Sequence, residues 1–166
     1  MMTETKIRPA TPLDYEQILR LNEESVHFLS PLSKEKLTHL HKESEILKVV
    51  EINGSVEAFV LALREEKDYD SVNYTWFEKN YDKFLYIDRV VVSVKKQNSG
   101  LGKLLYEEVF KHAKLTGVPV VTAEIDIEPA NPISLKFHEK FGFKEVGKQA
   151  VAGGKKNVSL QASQIY

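Results

Sequence analysis

Phe84-Leu85-Tyr86-Ile87-Asp88-Arg89-Val90-Val91-Val92-Ser93-Val94-Lys95-Lys96-Gln97-Asn98-Ser99-Gly100-Leu101-Gly102 is the stretch on which the fold turns. Its first part, Phe84 to Val94, is dominated by aromatic and β-branched residues, which fits a strand buried on both faces and therefore central in a sheet. After the glycines, Leu104, Leu105, Val109, Phe110 and Ala113 recur at helical spacing up to Gly117, placed where a glycine closes a helix. A strand that runs through a glycine turn into a helix presents unpaired backbone N–H groups at the positive end of the helix dipole, a ready site for phosphate. Gly100 and Gly102 let the backbone approach such a ligand closely, although the same spacing also describes an ordinary strand-to-helix turn. The dinucleotide-binding fingerprint fails, because a third glycine is missing and no acidic residue follows at a strand end about 20 positions on. The Walker loop fails on its glycine-to-lysine spacing.

Towards the C-terminus, Val118 to Ile127 predicts the next strand. Asn131-Pro132 then opens a helix as N-cap and first residue, carrying Leu135, Phe137 and Phe141 and stopping at Gly142. Phe143 to Val146 starts a strand, and Gly153-Gly154 separates it from a second β-compatible stretch, Asn157 to Ala162, so the chain should end in a hairpin. Towards the N-terminus, a short strand at Ile7 leads to Thr11 and Pro12, the N-cap and first position of a helix from Leu13 to Phe28 in which Asp14 and Glu16 favour the dipole. A second helix starts at Ser33 and carries Leu37 and Leu40. Ile46 to Ile52, Asn53-Gly54 and Val56 to Leu63 predict two antiparallel strands joined by a type I′ turn. The polar and aromatic stretch from Arg64 to Lys83 is long for a strand connection and reads as a functional loop or a short helix.

Composition sets the outer bounds. A chain of 166 residues fits one domain, and 42% apolar with 28% charged residues is ordinary for a soluble globular protein. With 23 basic against 24 acidic side chains, no global field draws it to nucleic acid or an anionic membrane, so any anion site must be local. No apolar run approaches the roughly 18 residues that span a bilayer. The absence of cysteine excludes disulfides and thiol nucleophiles and fits a reducing cytoplasm, the expected location. His27, His39, His41 and His112 show no metal-ligand pattern with nearby carboxylates, so no metal site is expected.

Two segments carry a resemblance. Gln97-Asn98-Ser99-Gly100-Leu101-Gly102 matches Arg/Gln-x-x-Gly-x-Gly/Ala between a strand and a helix, the signature of the GNAT superfamily of acyl-CoA-dependent N-acyltransferases. Asn131-Pro132-Ile133-Ser134-Leu135-Lys136-Phe137-His138-Glu139-Lys140-Phe141-Gly142-Phe143 is similar to that family's Asn-x-x-Ser-x-x-Phe-Tyr-x-x-x-Gly-Phe segment. The order of elements from Lys6 to Ala162 follows the family as well. The resemblance implies an α/β (α+β) fold with a mixed, twisted central sheet of about seven strands flanked by about four helices. It implies one N-acetyltransferase domain over residues 1–166 that uses acetyl-CoA. The backbone N–H groups of Gln97, Asn98, Ser99, Gly100, Leu101, Gly102 and Lys103 would hold the pyrophosphate, Val90, Val91 and Val92 would pair with the pantetheine amides, and Asn131 and His138 would border the cofactor.

Acetyl transfer needs a deprotonated amine and often an acid for the leaving thiolate. Asp88 sits four residues before Val92, where some polyamine-acetylating relatives carry a glutamate that takes the substrate proton; an ion pair with Arg89 is its alternative role. Glu124 is a second candidate base, since strand alternation puts Glu124, Asp126 and Glu128 on one side. His138 departs from the family, in which many members place a tyrosine that protonates the thiolate. It is either a substitute acid or a helix histidine bonded beside the cofactor with no proton role. The aromatic stretch Tyr69 to Tyr81, with Asp68, Asp70 and Glu78, is either a wall or lid for a small-molecule or peptide amine acceptor or a loop packed by its own rings. The favoured function is direct acetyl transfer to an amine. The rival is a non-catalytic acyl-CoA-binding regulatory module, and the resemblance leaves a homodimer open.

Overall fold

The computed structural model describes residues 4–25, 30–128 and 131–165. Among these described residues, seven strands form one mixed sheet in the order β1-β2-β3-β4-β5-β7-β6, with β4 (Leu85–Val92) central as the sequence predicts. The other strands are β1 (Thr5–Pro9), β2 (Ile46–Ile52), β3 (Ser55–Arg64), β5 (Val120–Glu128), β6 (Lys144–Val151) and β7 (Lys156–Gln164). Five α-helices accompany them: α1 (Tyr15–Glu24), α2 (Lys34–Glu43), α3 (Val72–Asn80), α4 (Leu101–Thr116) and α5 (Pro132–Lys140). The chain divides into two compact units, Met1–Leu63 with Asp88–Val109 and Arg64–Ile87 with Phe110–Tyr166.

In the first unit β2 and β3 turn at Asn53 and Gly54, whose φ values of 50° and 84° are the left-handed pair a type I′ turn requires. β3 is buried from Val56 to Leu63, and β1 pairs antiparallel with β2 on its outer edge. The Ser33 hydroxyl caps α2 by accepting the Lys36 N–H at 3.1 Å, and Leu37 and Leu40 point into the core. The first helix is shorter than its pattern suggests. Pro12–Asp14 is a 3-10 turn and α1 runs from Tyr15 to Glu24, while His27 and Phe28 lie outside the described residues. Asp14 is buried rather than exposed to the dipole; it accepts the Thr11 N–H at 2.8 Å and both guanidinium nitrogens of Arg8 at 2.8 and 2.9 Å.

In the second unit β5 pairs in parallel with β4 at Leu85↔Val121 and Tyr86↔Thr122. The terminal hairpin is formed, with β7 lying between β5 and β6. The stretch from Arg64 to Lys83 holds α3. Ser71 caps α3 by accepting the Tyr74 N–H at 3.3 Å, and Tyr74 and Phe77 are fully buried against Phe84 and Tyr86. Trp76 lies against Gly147, where a Cβ would come within 2.4 Å of the indole. These rings fill the core of their unit, so the self-packed alternative for this stretch is the one realised.

The Arg8 hydrogen bonds hold the Asp14 carboxyl below its usual range. A carboxyl depressed in this way contributes stability above its unfolded value, near about 3.9, and loses it as pH falls through the lower folded value. Asp14→Asn should therefore cost about 1 to 3 kcal/mol at pH 7, with a smaller gap from wild type at pH 3. Urea denaturation at both pH values checks this, and a gap independent of pH would contradict it.

Candidate active site

The glycine loop has the geometry of an anion cradle. A short 3-10 turn, Val94–Lys96, leaves β4, and Asn98 and Gly100 then take φ values of 64° and 87° to reverse the chain into α4. A Cβ at Gly100 would meet nothing within 4 Å, so glycine is favoured there by backbone strain and not by crowding. The Ser99 hydroxyl donates to the Lys96 carbonyl, and the Gln97 side-chain amide donates to the Val92 carbonyl at 3.4 Å. The first rung of α4 is the Leu104 N–H to the Gly100 carbonyl at 3.1 Å, which leaves the N–H groups of Leu101, Gly102 and Lys103 ahead of the ladder. Residues 97–100 are exposed, and Lys95 and Lys103 add exposed positive charge beside them.

The end of β4 is pinned from β3. Between Val50 and Glu51 the β2–β3 register slips, leaving Glu57 as the bulged residue, and its carbonyl accepts the Ser93 N–H at 2.8 Å. Its buried carboxylate lies 3.7 Å from Lys95. Val90 and Val92 are half-buried while Val91 is buried on the opposite face, the alternation of a strand.

Asp88 and Arg89 form the ion pair that the sequence allowed as an alternative. Arg89 Nε donates to Asp88 Oδ2 at 2.6 Å, with both side chains almost wholly buried. The guanidinium also donates to Asn22 Oδ1 at 3.0 Å and to the Ser30 carbonyl and hydroxyl at 3.1 and 3.0 Å. A buried arginine is tolerable only with its donors largely occupied, and these bonds engage four of the five.

Glu124, Asn131 and His138 belong to the second unit, whereas Asp88, Val90 to Val92 and the loop belong to the first. The Tyr86 hydroxyl donates to Glu124 Oε2 at 2.8 Å. Asp126, two residues along β5, is neutralised by Lys156 at 3.0 Å; the side chain of Glu128 lies outside the described residues. Asn131 caps α5 as predicted, its Oδ1 accepting the Ser134 N–H at 3.3 Å. His138 is buried between the rings of Phe137 and Phe143, and its Nδ1 lies 2.7 Å from the Ser134 carbonyl. A carbonyl only accepts, so Nδ1 carries the proton and Nε2 of the neutral ring is an acceptor. Burial pushes the His138 pKa down. No group of three His, Cys, Asp or Glu side chains among the described residues is arranged to hold a metal. No helix among them is long and apolar enough to cross a membrane.

The model of the acetyltransferase (GNAT) family matches residues 15–143, a span that includes α1, the glycine loop and α5. The chain belongs to the GNAT acetyltransferase family. No curated protein matches its sequence. Among solved structures, this GNAT chain is similar to Ard1 from Thermoplasma volcanium, with 17% identity and a TM-score of 0.79 over 98% of each chain. It is similar to yncA from Salmonella typhimurium, solved with its cofactor acetyl-CoA, with 18% identity and a TM-score of 0.75 over 98% of this chain and 95% of that one. Arabidopsis thaliana Naa50, solved with the bisubstrate analogue CoA-Ac-MVNAL, gives 15% identity and a TM-score of 0.74 over 96% and 97%. At these identities the likeness is one of fold.

Sequence reasoning in this GNAT chain did not show Tyr86 beside Glu124, nor Asn22 and Ser30 beside Arg89. Tyr86 read as one more apolar residue of a buried strand, and only its register against β5 shows that its hydroxyl meets a carboxylate.

Because the folded pKa of His138 is depressed, its neutral form adds stability that is complete above the unfolded value of about 6.5 and is lost as pH falls towards the folded value. Nitrogen-15 NMR of labelled histidine should show an Nδ1-protonated ring for His138 at pH 7 with a titration midpoint below 6.5. An Nε2-protonated ring, or a midpoint at or above that value, would contradict the assignment.

Proposed function

We propose that this acetyltransferase moves an acetyl group from acetyl-CoA to a primary amine of a small molecule or a peptide by direct attack, within a single domain. The observation that carries the reading is the glycine loop at the head of α4, where free N–H groups, a helix dipole and two exposed lysines converge in a member of the GNAT family. The residues fit the donor: the loop from Gln97 to Lys103 suits its pyrophosphate, and the amides of Val90 to Val92 suit its pantetheine arm. Acetyl-CoA supplies an activated thioester. The cysteine-free sequence fits a reducing compartment such as the cytoplasm.

The acceptor arrives largely as an ammonium ion and must lose a proton before its nitrogen can attack the thioester carbonyl carbon. We assign that proton to Glu124, one of the two carboxylates the sequence offers for this step, because Asp88 is already paired with Arg89; Glu124 accepts the Tyr86 hydroxyl at 2.8 Å. Asp88 serves as the counter-ion of Arg89. When the C–S bond breaks, the electron pair leaves with sulfur. A thiol is a far stronger acid than an alcohol, so the thiolate departs without a strong acid, and a neutral His138 with its proton on Nδ1 is compatible with that course.

Free thiol released from acetyl-CoA in the presence of polyamines, amino acids, aminoglycosides and peptides tests the reading. The expected result is release that depends on one acceptor class. Tight CoA binding with no acceptor-dependent release would favour the regulatory module instead. For the donor site, Gly100→Asp strains the left-handed position and sets a carboxylate against phosphate, so calorimetry should show CoA affinity falling at least about tenfold. Unchanged affinity would remove the loop from the site.

A further inference from the structure

A cavity of about 420 Å³ opens on the second unit, where β5 begins and β7 ends. Pro119, Val120 and the ring of Tyr81 give it an apolar lining, and Asp82, Lys83 and Gln164 add polar side chains. Its volume falls at the low end of the roughly 300 to 1,000 Å³ of small-molecule pockets, which are likewise mostly apolar with a few placed polar groups. Backbone hydrogen bonds hold the frame. The Tyr81 N–H donates to the Phe77 carbonyl at 2.9 Å and ends α3, while the Ile165 N–H donates to the Pro119 carbonyl at 2.8 Å. Val120 is paired with Gln164 across β5 and β7. The Tyr81 ring stands 6.2 Å from the ring of Phe77, which is fully buried. The cavity shares no residue with the glycine loop and includes none of Asp88, Glu124 and His138.

The polar groups of this cavity are not spent on the protein. Among the described residues, the Tyr81 hydroxyl and the side chains of Asp82, Lys83 and Gln164 make no hydrogen bond or ion pair. Asp82 and Lys83 are both exposed, and although adjacent in the chain they do not pair with one another. Burial raises the Tyr81 pKa, so its hydroxyl keeps a proton to donate at neutral pH. We infer that the cavity binds a free amino acid with an apolar side chain. Its ammonium would meet Asp82, its carboxylate would meet Lys83, and its side chain would lie over Pro119, Val120 and the Tyr81 ring. Opposite charges side by side favour a zwitterion, because a simple amine or a simple carboxylate leaves one of the two without a partner and beside a like charge. An aromatic side chain gains most, since ring contacts add to apolar burial. Both ion pairs are exposed, so each changes affinity by no more than roughly fivefold.

Amide NMR of the full chain, titrated with phenylalanine, phenethylamine and 3-phenylpropionate, tests the inference. Phenylalanine should saturate with a Kd on the order of 1 mM, and its shifts should centre on residues 81–83, 120 and 164. The two singly charged analogues should bind roughly threefold to fivefold more weakly. Lys83→Met should reduce phenylalanine to the affinity of phenethylamine without weakening phenethylamine itself. Asp82→Asn should do the same with respect to 3-phenylpropionate. Both positions are exposed, and a ligand-free spectrum that overlays wild type shows that each variant is folded. Shifts centred elsewhere, analogues that bind as tightly as phenylalanine, or folded variants that bind as wild type does would overturn the inference. Acetylation of phenylalanine without shifts at residues 81–83 would also overturn it, by placing the amino acid in the reaction and not in this cavity.

Discussion

The N–H groups of Leu101, Gly102 and Lys103 stand ahead of the first rung of α4, so they must find an acceptor outside the helix. Much of the first unit can be understood as delivering those groups to one place. β3 is buried along nearly its whole length, and its bulge at Glu57 turns a carbonyl to the Ser93 N–H and so ties down the end of β4. From there a single 3-10 turn and two left-handed residues, Asn98 and Gly100, swing the chain into the helix. A glycine at Gly100 costs stability through the unfolded state, and the return is the left-handed turn at a φ of 87°.

Burial decides the chemistry of the remaining polar groups. Asp88 lies in an apolar strand, and Arg89 pairs with it while reaching to Asn22 and Ser30. Glu124 accepts a hydrogen bond from the Tyr86 hydroxyl. His138 gives its one ring proton to a helix carbonyl and keeps an acceptor at Nε2. Three residues that share the label of candidate acid or base thus have three different capacities, set by the partner each one meets.

The strand, loop and helix around Gly100 were legible in the sequence because each signal is local: a β-branched run, glycines at the turn, and apolar residues at helical spacing. The hairpin at Asn53-Gly54 and the Asn131 cap of α5 were legible for the same reason. α3 was only half visible. Ser71 followed by Tyr74 and Phe77 is a cap and a helical stripe, but the stripe is short and the segment is crowded with turn-compatible residues. The partners of Glu124 and Arg89 were not legible, because each is joined to its neighbour by register or by packing between elements distant in the chain. A period-two pattern places Glu124 on a face and leaves open what stands across from it.

The most direct test of the account is amide NMR of the wild-type protein during titration with acetyl-CoA, with ATP as the competing nucleotide. The largest shifts should fall on residues 98–103 and on Val90 to Val92, and ATP should leave those signals nearly unmoved at equal concentration. Shifts centred elsewhere, or an equal response to ATP, would contradict a coenzyme A site at the head of α4.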